Sequence, residues 1–180
     1  MQNTSVAVCT VISFPFGYCT SEIKCKEILL AVENGATEID FVQNISLVKN
    51  NQITEFEAEL KEIRNIANNT LLKIICETSL LTEYELFKCC QIACESGIDI
   101  LKTSTGYGKR GASLSDIAIM KKVTENHFKE KNRAVGIKAS GGIKTAEDAL
   151  AFIKAGATRL GTSSGKNLVL NSTNESSLVY

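Results

Sequence analysis

The chain has a single histidine, no net charge and no long apolar run, and each of these shortages removes a class of function. Over 180 residues, 20 basic side chains balance 20 acidic ones. That balance gives no electrostatic reason to expect nucleic acid or an anionic membrane as the main partner, though it leaves room for a local basic pocket. No stretch approaches the roughly 20 apolar residues that a membrane-spanning helix needs. The first residues, Met1-Gln2-Asn3-Thr4-Ser5, lack the basic start of a secretory signal, so the apolar stretch from Val6 to Phe16 reads as a strand and a turn. The expectation is a cytoplasmic protein with neither nucleic acid nor membrane as a partner.

The scarcity of histidine also bears on metals. His127 lies in a segment rich in Lys and Glu, Lys121 to Lys131, and reads as part of a solvated helix face. Seven cysteines, an odd number, suit free thiols in a reducing compartment better than a disulfide framework. Cys89, Cys90 and Cys94 fall inside an amphipathic helical stretch with no second ligand cluster, and read as small apolar filler rather than metal ligands. No metal and no cofactor is expected.

What is present is a regular alternation. With 44% hydrophobic residues and no long polar tract, the chain is most simply one domain over residues 1–180. Strands are expected at Ala7–Ile12, Glu38–Val42, Leu72–Glu77, Ile98–Lys102, Ala134–Lys138 and Thr158–Gly161. Amphipathic helices are expected near Ser21–Glu33, Thr54–Ala67, Thr82–Ser96, Leu114–Lys129 and Thr145–Ala155. Thr54 with Glu57, Thr82 with Glu85, and Thr145 with Asp148 give capping signals at helix starts, while Gly35, Gly97 and Gly156 mark helix ends. Strand and helix repeated in this way predict parallel pairing and an α/β fold.

An open doubly wound sheet and a closed barrel both fit the alternation, and the inward residues choose between them. Alternation along each strand puts Glu38 with Asp40 on one face, Lys73 with Ile75 and Glu77, Ile100 with Lys102, and Gly136 with Lys138. Charge on one face of several strands contrasts with the continuous hydrophobic runs of an open parallel sheet, and suits a barrel interior in which ion pairs satisfy one another. Lys102 and Lys138 each end a short apolar strand and run into a loop rich in Ser, Thr and Gly. A lysine desolvated there, beside a second ammonium, loses its proton more easily and becomes an amine able to attack a carbonyl. The loops Ser140-Gly141-Gly142-Ile143 and Gly161-Thr162-Ser163-Ser164-Gly165 follow consecutive strands, and backbone N–H groups in such segments favour an anion such as a phosphate.

Six segments then align in order with one family. Val8-Cys9-Thr10-Val11-Ile12-Ser13-Phe14-Pro15, Gly35-Ala36-Thr37-Glu38-Ile39-Asp40-Phe41-Val42, Leu72-Lys73-Ile74-Ile75-Cys76-Glu77-Thr78, Leu101-Lys102-Thr103-Ser104-Thr105-Gly106, Val135-Gly136-Ile137-Lys138-Ala139-Ser140-Gly141-Gly142 and Gly161-Thr162-Ser163-Ser164 resemble the successive motifs of the deoxyribose-phosphate aldolase family. The resemblance implies a TIM-type (β/α)8 barrel and a metal-free class I aldolase that cleaves 2-deoxy-D-ribose 5-phosphate to D-glyceraldehyde 3-phosphate and acetaldehyde. It implies that Lys102 forms the Schiff base, that Lys138 is the neighbouring cation that keeps Lys102 deprotonated, and that Asp40 shuttles protons. The substrate phosphate is expected at Gly106, Gly141, Gly142, Ser163 and Ser164. Lys73 and Glu38, with Glu77, read as charges that organise the interior.

The chain departs from the family pattern in three places. Two further β/α units precede the Val-Cys-Thr-Val-Ile strand in the family, so about six units are expected here where the barrel has eight. A homo-oligomer would cover the edges this leaves open. After Gly165 the expectation is a brief or frayed last helix within Lys166 to Tyr180, and Lys144 stands where arginine is common. Two rivals to an active aldolase follow: a non-catalytic remnant that binds a phosphorylated metabolite, and a Schiff-base barrel enzyme acting on a different phosphorylated substrate.

Overall fold

The structure is a computed structural model that describes residues 5–169. Strands β1 (Cys9–Ile12), β2 (Glu38–Val42), β3 (Leu71–Ile75), β4 (Ile100–Lys102), β5 (Gly136–Ser140) and β6 (Arg159–Gly161) form one sheet in that spatial order. Every neighbouring pair is parallel. Among the described residues, β1 and β6 each pair on one side only, so the sheet is a six-stranded segment of a barrel with two free edges. Helices α1 (Ser21–Glu33), α2 (Ile45–Lys49), α3 (Ile53–Ile66), α4 (Glu83–Glu95), α5 (Leu114–Lys131) and α6 (Ala146–Ala155) supply the crossovers. Most of the expected segment from Lys166 to Tyr180 lies outside the described residues.

Register explains the two faces of the sheet. Asp40 pairs with Lys73 and Lys73 with Ile100, while Ile75 pairs with Lys102 and Lys102 with Lys138. These rows line the concave side. The alternate residues Ile39, Phe41, Leu72, Ile74, Leu101, Ile137 and Ala139 belong to the hydrophobic cluster beneath the helices. All five residues of β2 are therefore buried although only some are apolar, because helices cover one face and ion pairs fill the other. Exposure returns at the edges, at Val11 on β1 and Arg159 on β6.

Helix starts follow the sequence in two of the three predicted places. Thr82 with Glu85 and Thr145 with Asp148 form reciprocal capping boxes, as do Ser113 and Asp116 at α5. Thr54 does not cap α3. That helix begins at Ile53 after Gln52, and Glu57 bonds instead to Lys61 one turn on. His127 also departs from expectation. It is buried on the inner face of α5, and burial followed by the charge of Arg133 pushes its pKa below the usual imidazole value. Gly35, Gly97 and Gly156 end helices with φ of 96°, 87° and 121°, a region costly for other residues.

Candidate active site

Asp40 sits at the middle of β2 with 1% of its surface exposed, and three lysines converge on it. Its Oδ1 is 2.9 Å from Nζ of Lys73; its Oδ2 is 2.7 Å from Nζ of Lys102 and 2.7 Å from Nζ of Lys138. Lys73 also reaches Glu38 at 2.6 Å, and Arg159 reaches the same carboxylate at 2.7 Å from the far edge of the sheet. The thiol of Cys9 donates to Asp40 Oδ1 at 3.1 Å. Parallel register is the reason these groups meet. Strands one residue out of step would have turned Lys102 or Lys138 into the helical layer.

The electrostatics separate two roles among the lysines. Burial would raise the pKa of Asp40, but the charge and hydrogen bond of Lys102, with those of Lys138, outweigh it and hold the carboxyl well below its usual range. Lys102 shifts downwards. Burial is the main cause and the Lys138 ammonium adds to it, against an upward pull from Asp40. Lys73 shifts the other way, because the hydrogen bonds it donates to Glu38 and Asp40 overcome its burial. Lys102 is thus the amine disposed to lose a proton, and Lys73 is a fixed cation that organises the carboxylates.

The pair Lys102 and Lys138 opens onto a cleft of about 530 Å³. Gly106, Gly141, Gly142, Ser163, Lys144, Ser104 and Ser140 are among its lining residues. Gly141 and Gly142 carry consecutive positive φ values of 87° and 81°, and a β-carbon on Gly142 would point into open space. Ser164 does not line the cleft; its N–H donates to Thr162 Oγ1 at 2.9 Å, which fixes the loop from behind. Two lining hydroxyls, Ser104 Oγ and Ser140 Oγ, are buried without a hydrogen-bond partner. Buried hydroxyls seldom stay unpaired, which sets these two apart within the lining.

Some side chains at the cleft and its ion-pair network were not singled out individually by sequence. Ser104 and Ser140 lie next to the loop glycines in motifs already recognised, and the only available signal was their place two residues after each lysine. Arg159 carried no signal beyond its strand. Glu77 differs from expectation: β3 stops at Ile75 and Glu77 adopts φ 49°, which takes it off the concave face. Its carboxylate accepts from the N–H and hydroxyl of Thr105 and from Ser79, and so braces the loop after Lys102.

This arrangement matches known proteins along nearly its whole length. The DeoC/LacD family aldolase pattern spans residues 9–171. The chain belongs to the DeoC/LacD aldolase family. The deoxyribose-phosphate aldolase of Mycoplasma capricolum is 40% identical over 98% of this chain and 76% of the relative. That of Streptococcus sanguinis is 43% identical over 92% and 72%. Among solved structures, the aldolase QR15 superposes with a TM-score of 0.89 at 37% identity, covering 98% of this chain and 77% of its own. The tetrameric deoxyribose phosphate aldolase of Aeropyrum pernix gives 0.83 at 30% identity, over 94% and 69%. Aldolase membership and the TIM-type sheet are thereby established. No helix among the described residues is long and apolar enough to cross a membrane.

Proposed function

We propose that the chain cleaves 2-deoxy-D-ribose 5-phosphate to D-glyceraldehyde 3-phosphate and acetaldehyde through a Schiff base on Lys102. The observation that carries this reading is the shared oxygen: Lys102 and Lys138 both lie 2.7 Å from Asp40 Oδ2, at the mouth of a cleft lined by glycine loops.

The chemistry follows from the positions. Neutral Lys102 attacks the substrate aldehyde carbon, and loss of water gives a protonated imine. A base removes the proton of the substrate's C3 hydroxyl, the C2–C3 bond breaks, and its electrons enter the imine to form an enamine. Asp40, through water, and Lys138 are the groups able to carry that proton. Protonation of the enamine carbon and hydrolysis then return acetaldehyde and free Lys102. Gly106, Gly141, Gly142 and Ser163 are assigned to the phosphate, with the unpaired hydroxyls of Ser104 and Ser140 available to the substrate oxygens. Ser164 lies outside the cleft lining and supports the loop through its N–H to Thr162. A homo-oligomer is the natural cover for the exposed apolar side chains of β1 and α1, such as Val11, Leu29 and Leu30.

Borohydride reduction in the presence of deoxyribose 5-phosphate, followed by peptide mass mapping, tests the assignment. A reduced adduct on Lys102 is the expected result, and Lys102→Ala removes it together with acetaldehyde release. A folded chain without an adduct would favour the non-catalytic remnant. An adduct formed with another phosphorylated aldehyde but without acetaldehyde release would favour a different substrate.

A further inference from the structure

Cys76, Cys89 and Cys90 bring their three sulfur atoms within 4.8 Å of one another, on the helix side of the sheet. Cys76 follows the end of β3, and Cys89 and Cys90 are consecutive residues of α4. Consecutive helix positions point about 100° apart, so one partner rarely touches both. Here the strand-end thiol meets both, and all three residues are at most 1% exposed. The site differs from the one that Cys89, Cys90 and Cys94 would have made: Cys94 is not among the three, and β3 supplies Cys76 in its place.

A buried polar side chain also meets the cluster. Gln43 is fully buried beside the cluster, where its Nε2 donates to the carbonyl of Cys76 at 2.7 Å. Its amide also hydrogen-bonds Cys89, and its Oε1 has no partner. The Gln43 amide thus holds the Cys76 carbonyl in place beside the cluster.

We propose that Cys76, Cys89 and Cys90 form a structural site for a divalent, thiophilic d10 cation, of which zinc is the ordinary example. Geometry permits it. Zinc–sulfur bonds of about 2.3 Å place tetrahedral ligands roughly 3.8 Å apart, so the sulfurs close by about 1 Å at most. Charge selects the cation. Three thiolates leave a net −1 with a divalent ion and −2 with a monovalent one such as Cu(I), and the second is the costlier charge to bury. Binding releases the thiol protons to solvent, with no change in oxidation state. The ion pins α4 to the end of β3, directly before Glu77 and the loop it braces, and takes no part in the carbon–carbon chemistry.

The test uses the full chain, refolded under a phosphine reductant with one equivalent of Zn(II), then dialysed, with retained metal quantified. A parallel sample carries Cd(II), whose sulfur-to-metal charge transfer is read in the ultraviolet. One retained equivalent per chain and a charge-transfer band are expected. Cys76→Ala and Cys89→Ala should each weaken binding at least tenfold, while Cys94→Ala should leave it intact. Because the sulfurs are buried, metal added to already folded chain should load far more slowly than metal present during refolding. Refolded wild-type chain with a native circular-dichroism spectrum and less than a tenth of an equivalent of zinc overturns the proposal, whatever the variants do. Loss of binding in Cys94→Ala equal to that in Cys76→Ala also overturns it, by showing non-specific thiol capture.

Discussion

Lys102 and Lys138 are register partners on β4 and β5, and both direct their ammonium groups at one oxygen of Asp40. Two lysines placed directly opposite each other would repel. The shared carboxylate makes the pairing tolerable, and it ties the titrations of Asp40 and Lys102 to each other and to the charge of Lys138.

Lys138→Leu removes a cation that helps Lys102 lose its proton. The Lys102 pKa then rises, and the onset of imine formation moves to higher pH. Borohydride trapping as a function of pH reads this shift directly. An unchanged profile would mean that burial alone sets the reactivity of Lys102.

Asp40→Asn works in the opposite direction on the amine. Asp40 stabilises the protonated form of Lys102, so its neutralisation lowers that pKa and lets trapping reach its plateau at lower pH. Turnover falls regardless, by about 10²–10⁴-fold, if Asp40 carries protons during bond cleavage. A split between preserved trapping and lost acetaldehyde release is the expected signature. Equal loss of both would make Asp40 only a structural member of the lysine cluster.

Gly161→Ala tests how closely β6 must approach β5. The added β-carbon would lie 2.2 Å from Ser140 Oγ and 3.3 Å from Cε of Lys138. Something must shift, and displacement of the Lys138 side chain should cost roughly 10²-fold in kcat. Melting and single-turnover trapping on Lys102 should change far less. Wild-type kcat in this variant would show that Lys138 tolerates movement.

Acid should unfold the protein through the same network. Asp40 and Glu38 both titrate below their unfolded values. In each, burial acts upwards and is outweighed, in Asp40 by Lys102 and Lys138, in Glu38 by Lys73 and Arg159. A depressed folded pKa gives stability that is complete above the unfolded value, near about pH 4, and is lost as pH falls towards the folded one. Urea midpoints should hold from about pH 7 to about pH 5, then drop steeply, and Asp40→Asn should flatten the drop. A decline that begins near neutrality would point to a different group.

How much of this was readable in the sequence depended on the range of the interaction. Asp40, Lys102 and Lys138 could be placed because strand alternation fixes the face of each residue and the register of short parallel strands leaves little freedom. Glu77 was misread when the strand period was carried two residues past Ile75, beyond the point where the backbone turns to positive φ. His127 was hidden by its charged neighbours, since a Lys- and Glu-rich stretch still needs an inner face wherever α5 packs on α4. Arg159 and Cys76 were invisible for a common reason. Their partners, Glu38 and the α4 thiols, are set by the curl of the sheet and by helix-on-strand packing, neither of which leaves a local period.

The reach of Arg159 to Glu38 spans 121 positions of sequence, and that of Lys138 to Asp40 spans 98. During synthesis the amino-terminal carboxylates are therefore made long before the cations that neutralise them. Until the ribosome has delivered β5 and β6, Glu38 and Asp40 have only Lys73 and Lys102 as counterions, and the reactive amine has no second ammonium to poise it. Completion of the sheet thus coincides with arrival of the second ammonium beside Lys102, and a chain arrested before Lys138 lacks the charge that adds to burial in lowering that pKa.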